Sequence, residues 1–194
     1  MVGSLRDLFL HPSVFFEQVS QEKAGFIWPF IIVFLGSIIS FIGAVALSPQ
    51  VTDPLTQYSI TFLFLSGVAI FTWVIISAGL FLLSRAFSGT GSFLATLRNT
   101  GYGMLPFAFS NAVTFATVLA ITGNVASLST VNPGVFSALI YVEQAFFTVW
   151  AAYLWFCGLR RAHGIPAPLA AAAVVIVIAL ALAIFFLLTT MSLP

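Results

Sequence analysis

Charge is what this sequence has least of. Six Lys or Arg and five Asp or Glu make up 6% of 194 residues, against 61% hydrophobic residues and a mean hydropathy of +1.15. A soluble domain carries roughly 25% charged residues. Water cannot solvate a folded surface built from so few, so most of this surface must face lipid. The net charge of +1 and the lack of any Lys/Arg run exclude a nucleic-acid groove. With one cysteine, Cys157, there is no intramolecular disulfide and no cysteine metal cluster. The two histidines, His11 and His163, are far apart and lack carboxylates at metal-ligand spacing.

The same scarcity removes the enzyme classes. No apolar run contains a His or Lys to activate a serine for intramembrane proteolysis. Gly89-Thr90-Gly91-Ser92 is glycine-rich but lacks the lysine of a phosphate-binding loop. The acids are too scattered to hold the metal of a lipid phosphotransferase. No catalytic, cofactor-binding or metal-ligating residue is therefore assigned, and a non-enzymatic protein is expected.

What is present is a series of long apolar runs, each near or above the ~20 residues that cross a bilayer as a helix. They cover about 26–47, 58–83, 102–121, 135–156 and 169–188, with breaks at Ser48-Pro49, Arg85 to Ser92, Asn132-Pro133-Gly134 and Pro166/Pro168. Phe93 to Thr100 is a half-polar stretch ahead of the third run. Residues 1–25 are the most polar part. There Leu5, Leu8 and Phe9, then Phe15, Phe16 and Val19 after Pro12, recur at helical spacing, as in an amphipathic element at a membrane interface. The sequence thus predicts an all-α integral membrane protein: one domain over 1–194, a five-transmembrane-helix bundle with a short N-terminal amphipathic interfacial helix.

Five spans also fit the cations. Arg6 and Lys23 precede the first span, Arg85 and Arg98 lie between the second and third, and Arg160 and Arg161 between the fourth and fifth. All six then fall on one side, which the positive-inside rule makes cytoplasmic. The N-terminus is expected in the cytoplasm and the C-terminus outside, in the cell membrane if the source is prokaryotic. Small residues at four-residue spacing, Gly36-Ser40-Ala44 and Ala112-Ala116-Ala120, mark faces on which helices can approach closely.

Glu143 is the one charged residue inside an expected span. It lies roughly 20 Å along the helix from Cys157 at 1.5 Å per residue, too deep for a short side chain to reach water. An acid there costs on the order of 2.5–3.5 kcal/mol to insert, so it must be neutral, paired or turned to a polar interior. Two readings stand: a proton- or ion-linked step, or a hydrogen bond across the helices to Asn111, Thr114, Thr117 or Gln144. Arg160 and Arg161, with His163, form the densest polar cluster, in what reads as a cytoplasmic loop. They either fix topology against anionic headgroups or dock a partner. Cys157 beside them is a palmitoylation candidate or a spectator thiol.

Gly91-Ser92-Phe93, followed by Gly101-Tyr102-Gly103-Met104-Leu105-Pro106, resembles the Yip1 domain, in which a glycine-rich turn and a "GSF" segment lead into a "GY…P" start of the third span. His11-Pro12-Ser13-Val14-Phe15-Phe16 resembles the "P…F" opening of prokaryotic members. Trp150 to Leu159 with His163 is similar to the family's tryptophan-bearing span ending in "GL" and a basic loop. The resemblance implies a membrane scaffold or adaptor without catalytic residues or cofactors. Gly101, Tyr102 and Pro106 are the family-typical positions, with a structural role. Eukaryotic members bind Rab-type GTPases and each other, and carry a longer N-terminal region with its own motifs. Its absence from this sequence counts against a Rab-type GTPase partner. The expected partners are the lipid bilayer and a membrane protein or a second copy in a homo-oligomer. The alternative function is a small transporter or channel subunit using Glu143.

Overall fold

In the computed structural model, residues 5–21, 25–47, 53–122 and 133–191 are described, and all their regular structure is helical. In chain order the helices are α1 (Leu5–Leu10), α2 (Pro12–Gln21), α3 (Ile27–Leu47), α4 (Pro54–Ala86), α5 (Phe93–Tyr102), α6 (Leu105–Thr122), α7 (Pro133–His163) and α8 (Ala167–Met191). Five segments are long and apolar enough to cross a membrane: Ile27–Ala46, Pro54–Ala86, Phe93–Ala120, Gly134–His163 and Ala167–Ile184. This is an all-α integral membrane protein, as the hydropathy pattern requires. The Ser48-Pro49 break and the Gly123-to-Asn132 connection lie outside the described residues.

The helix ends follow local chemistry. Asp53 caps α4, accepting from the Thr56 amide at 3.4 Å, with Pro54 in the first turn where its missing N–H costs nothing. Hydrogen bonds from the Thr56 side chain and then its amide hold the Asp53 carboxyl below the usual carboxylate range. Ser92 caps α5 by accepting from the Ala95 amide at 3.2 Å. At the far end of α4, Ser88 adopts a left-handed φ of 63°. The Gly89 amide then donates to the Ser84 carbonyl and the Ser88 amide to that of Arg85, a Schellman closure. Gly164, at φ 65°, ends α7 through its amide to the Arg160 carbonyl.

Two helices run further than their apolar cores. α4 has 33 residues and α7 has 31, about 50 and 46 Å at 1.5 Å per residue, against a hydrocarbon layer of about 30 Å. No breaker interrupts α7 until Gly164 and Pro166. Arg160, Arg161 and His163, read from the sequence as a loop, therefore sit in its last turn. The half-polar Phe93–Thr100 stretch is likewise helical, as most of α5. Pro106 falls in the first turn of α6, and the chain steps from α5 to α6 through Gly103 and Met104.

The chain divides into two compact units: residues 1–25, 74–100 and 152–194, and residues 26–73 and 101–151. In the first, Leu8, Phe15, Phe16 and Val19 are fully buried. The apolar face of α1 and α2 is thus turned into protein, while Phe9, Leu10 and Val14 stay exposed. In the second unit, α3 packs extensively on α6. A Cβ on Gly36 would meet Ala108 at 3.7 Å, and one on Gly43 would meet Phe115 at 3.8 Å. The α3 half of the small-residue expectation falls on this contact. On α6 the contacting face is Ala108–Asn111–Phe115, whereas Ala116 and Ala120 are exposed.

Candidate functional site

The second unit carries a seam of polar side chains through otherwise apolar helices. Ser37 on α3 gives its proton to the Phe34 carbonyl at 2.7 Å, so Ser66 on α4, 3.3 Å away, is the donor between the two. One turn along α3, Ser40 donates to the Gly36 carbonyl and accepts from the Asn111 amide at 2.8 Å. Asn111 also reaches the Gly36 carbonyl at 3.3 Å. Glu143 of α7 receives two hydroxyls from α6, Ser110 on Oε1 and Thr114 on Oε2, each at 2.7 Å. Ser110 and Thr114 are four residues apart, so one face of α6 presents both to the carboxyl.

Thr114 was among the partners expected for Glu143, and Ser110 was not. Asn111 turns instead to α3. The i, i+4 pair of hydroxyls was the available signal: a carboxyl has two oxygens, and two donors on one helix face fit both. Two cavities flank the Ser40–Asn111 pair. One, of about 170 Å³, lies toward α4 and is lined by Ser37, Leu65, Val68 and Ala69 among others. The other, of about 220 Å³, is walled by Ser40, Gly43 and Ala44 of α3, Asn111 and Thr114 of α6, and Gln144 of α7.

Gly101, Tyr102 and Pro106 belong to the same unit as packing elements. A Cβ on Gly101 would stand 2.6 Å from Pro29 and 3.0 Å from the Trp73 ring, so only glycine allows the approach. Tyr102 and Pro106 are fully buried.

The arginine-bearing end of α7 belongs to the first unit. Arg161 pairs with Glu17 of α2 at 3.2 Å, with both side chains about half exposed. Arg160 lies 5.6 Å from the Phe156 ring centroid, a cation–π distance. His163 is buried and is not a surface cation beside them. Its Nε2 lies 2.7 Å from the Thr96 hydroxyl, which donates to the Ser92 carbonyl. Its Nδ1 faces the Gly89 loop and has no partner among the described residues.

Glycine at 89 and 91 is required by that packing. A Cβ on Gly91 would stand 2.3 Å from the Ala162 carbonyl oxygen, and one on Gly89 2.9 Å from the His163 Cβ. The loop is fastened by the Thr90 amide to the His163 carbonyl and by Arg85 to the Gly89 carbonyl at 3.0 Å. Asn99 adds a bond to the Gly158 carbonyl at 3.0 Å, and Trp155 one to that of Thr100 at 3.2 Å. The glycine-rich turn that was weighed as a phosphate loop is a clasp over a helix end. Cys157 is buried, which leaves its thiol poorly placed for acylation. Among the described residues no group of three His, Cys, Asp or Glu could hold a metal.

Known proteins give this geometry a family. An uncharacterised protein of Methanocaldococcus jannaschii is 32% identical over 114 residues, covering 53% of this chain and 79% of its own length. No solved structure matches. The Yip1 domain matches residues 6–189, which takes in the Gly91-Ser92-Phe93 turn, the Gly101-to-Pro106 step and the α7 clasp. The chain belongs to the Yip1 family and is a multi-pass membrane protein of that type.

Proposed function

We propose that this protein is a non-enzymatic membrane scaffold or adaptor, acting through protein–protein or protein–lipid contacts within the bilayer. The observation that carries the reading is that each oxygen of Glu143 has a hydroxyl partner on α6. The one deep carboxyl thus ties two helices together instead of facing a substrate. An acid held this way meets its insertion cost through internal donors. Family membership supports the same reading.

Orientation follows the positive-inside rule. The described cations, Arg6, Arg85, Arg98, Arg160 and Arg161, all belong to the first unit, and the rule puts the helix ends that carry them in the cytoplasm. The exposed Phe9, Leu10 and Val14 then set α1 and α2 against the inner membrane surface. Partners of this surface are the bilayer and a membrane protein or second copy.

A transporter or channel subunit is the second reading. The observation favouring it is the 220 Å³ cavity against Thr114, the residue that holds Oε2 of Glu143. Purification in nanodiscs with size analysis, comparing wild type with Glu143→Gln, separates the two. The adaptor reading expects the same oligomer or co-purifying membrane protein from both. A partner-free monomer from wild type would contradict it.

A further inference from the structure

The cavity of about 220 Å³ shared by α3, α6 and α7 is walled by two kinds of side chain. Ile39, Phe115 and Val118 are apolar, whereas Ser40, Asn111, Thr114 and Gln144 bring hydrogen-bonding groups. At 1.5 Å per residue, Gln144 lies roughly 20 Å along α7 from Cys157 and roughly 17 Å from the helix start at Pro133. The cavity is therefore at hydrocarbon depth, where lipid tails offer no hydrogen bonds to its polar wall. Cavities of about 150 Å³ take up a benzene-sized molecule. This one has room for a glycerol-sized group and is larger than a bare ion needs.

The hydrogen bonds already made decide which groups are left for an occupant. Asn111 directs its amide nitrogen at the Gly36 carbonyl and the Ser40 hydroxyl. That fixes which end of the carboxamide is oxygen, and this Oδ1 has no hydrogen-bond partner among the described residues. Ser40 donates to the Gly36 carbonyl and Thr114 to Glu143, so their oxygens remain as acceptors. Gln144 is exposed, and both ends of its amide are unpaired among the described residues. The wall thus offers several acceptors and, from Gln144, an N–H donor.

Charge narrows the choice further. Residues 26–73 and 101–151, the unit that holds the cavity, contain no Lys, Arg or His. A phosphate or carboxylate headgroup would find no countercharge there, and a charged group is costly to bring to that depth. We propose that the cavity binds the headgroup of an uncharged lipid alcohol, a diacyl- or dialkylglycerol. Its free hydroxyl donates to the acceptors of the wall, Asn111 Oδ1 among them. Its ester or ether oxygens accept from the Gln144 amide, and its chains run out past exposed Gln144 into the bilayer. This rests on the adaptor reading, whose protein–lipid contact it gives one place and one lipid class.

The test is photolabelling of the full chain in nanodiscs with a diacylglycerol that carries a diazirine at the start of one acyl chain. Labelled peptides are then located by mass spectrometry. Label that excess plain diacylglycerol removes is expected within 39–44 and 111–118 and at Gln144, and phosphatidic acid with the same chains is expected to leave it in place. Gln144→Leu keeps the side-chain bulk and breaks no hydrogen bond among the described residues. It lowers this competed label by about 3- to 10-fold, the range of one polar contact in a bilayer. Label spread along all exposed helix faces and not removed by diacylglycerol, or removed equally by phosphatidic acid, overturns the headgroup site. The adaptor reading is then judged on the nanodisc size comparison alone. Removal by free glycerol, or by sodium in place of choline, overturns the lipid occupant, assigns the cavity to a soluble solute and counts for transport against the adaptor reading.

Discussion

The hydroxyl of Thr96 and the Nε2 of His163 meet at 2.7 Å across 67 positions of chain, joining α5 to the last turn of α7. The same hydroxyl lies 3.1 Å from the Ser92 carbonyl, so it ties the ring to the start of α5. Thr96→Val keeps the shape and removes the hydroxyl, leaving the buried Nε2 of His163 without its partner. It is expected to destabilise the protein by about 1–3 kcal/mol, read as a lowered midpoint in detergent thermal unfolding.

The clasp over the same helix end depends on glycine. Gly91→Ala would drive a methyl into the Ala162 carbonyl oxygen. A backbone atom cannot step aside, so a loss of about 1–3 kcal/mol is expected. Gly67, in mid-α4, has open space around it, and Gly67→Ala is expected to be neutral or slightly stabilising. Expression and unfolding midpoints of the two variants, measured side by side, check the contrast.

Glu143 is predicted to tolerate Gln, which can still accept a hydroxyl proton and can donate one in return. Glu143→Leu removes both interhelical bonds. Ser110 and Thr114 can recover part of the loss by bonding their own helix, so the expected cost is only about 1–2 kcal/mol. Ser110→Ala combined with Thr114→Val should cost a similar amount and add little on top of Glu143→Leu. Urea or heat unfolding of the three variants and their combination measures that coupling.

The Glu17–Arg161 pair is half exposed, so a coupling of only about 0.2–1 kcal/mol is expected, fading as salt rises. The docking of α2 does not depend on it, because Phe15, Phe16 and Val19 are fully buried. Glu17→Arg should therefore leave the unfolding midpoint nearly unchanged, whereas Phe16→Ala should lower it by about 3–5 kcal/mol of stability.

The spans and their number were legible because apolar runs of bilayer length need no tertiary information. Less visible was how far α7 continues: polar Arg160 and Arg161 look like a loop in a hydropathy plot, yet nothing in their backbone chemistry stops a helix. His163 was misjudged for a related reason. Beside two arginines it reads as part of a surface cluster, and only the fold brings Thr96 and the Gly89–Gly91 turn over it. Ser110 was passed over because serines on an apolar helix are common. Its pairing with Thr114 acquires meaning once α7 sets Glu143 opposite both.

The central claim is that Glu143 serves as a tie between helices and not as a carrier of protons or ions. Proton flux into proteoliposomes under an imposed pH gradient, for wild type and Glu143→Gln, tests it most directly. The account predicts flux no greater than in empty vesicles for either protein, with equal thermal stability. Flux through the wild type that disappears in Glu143→Gln, with the fold intact, would contradict it and identify the cavity beside Thr114 as part of a transport path.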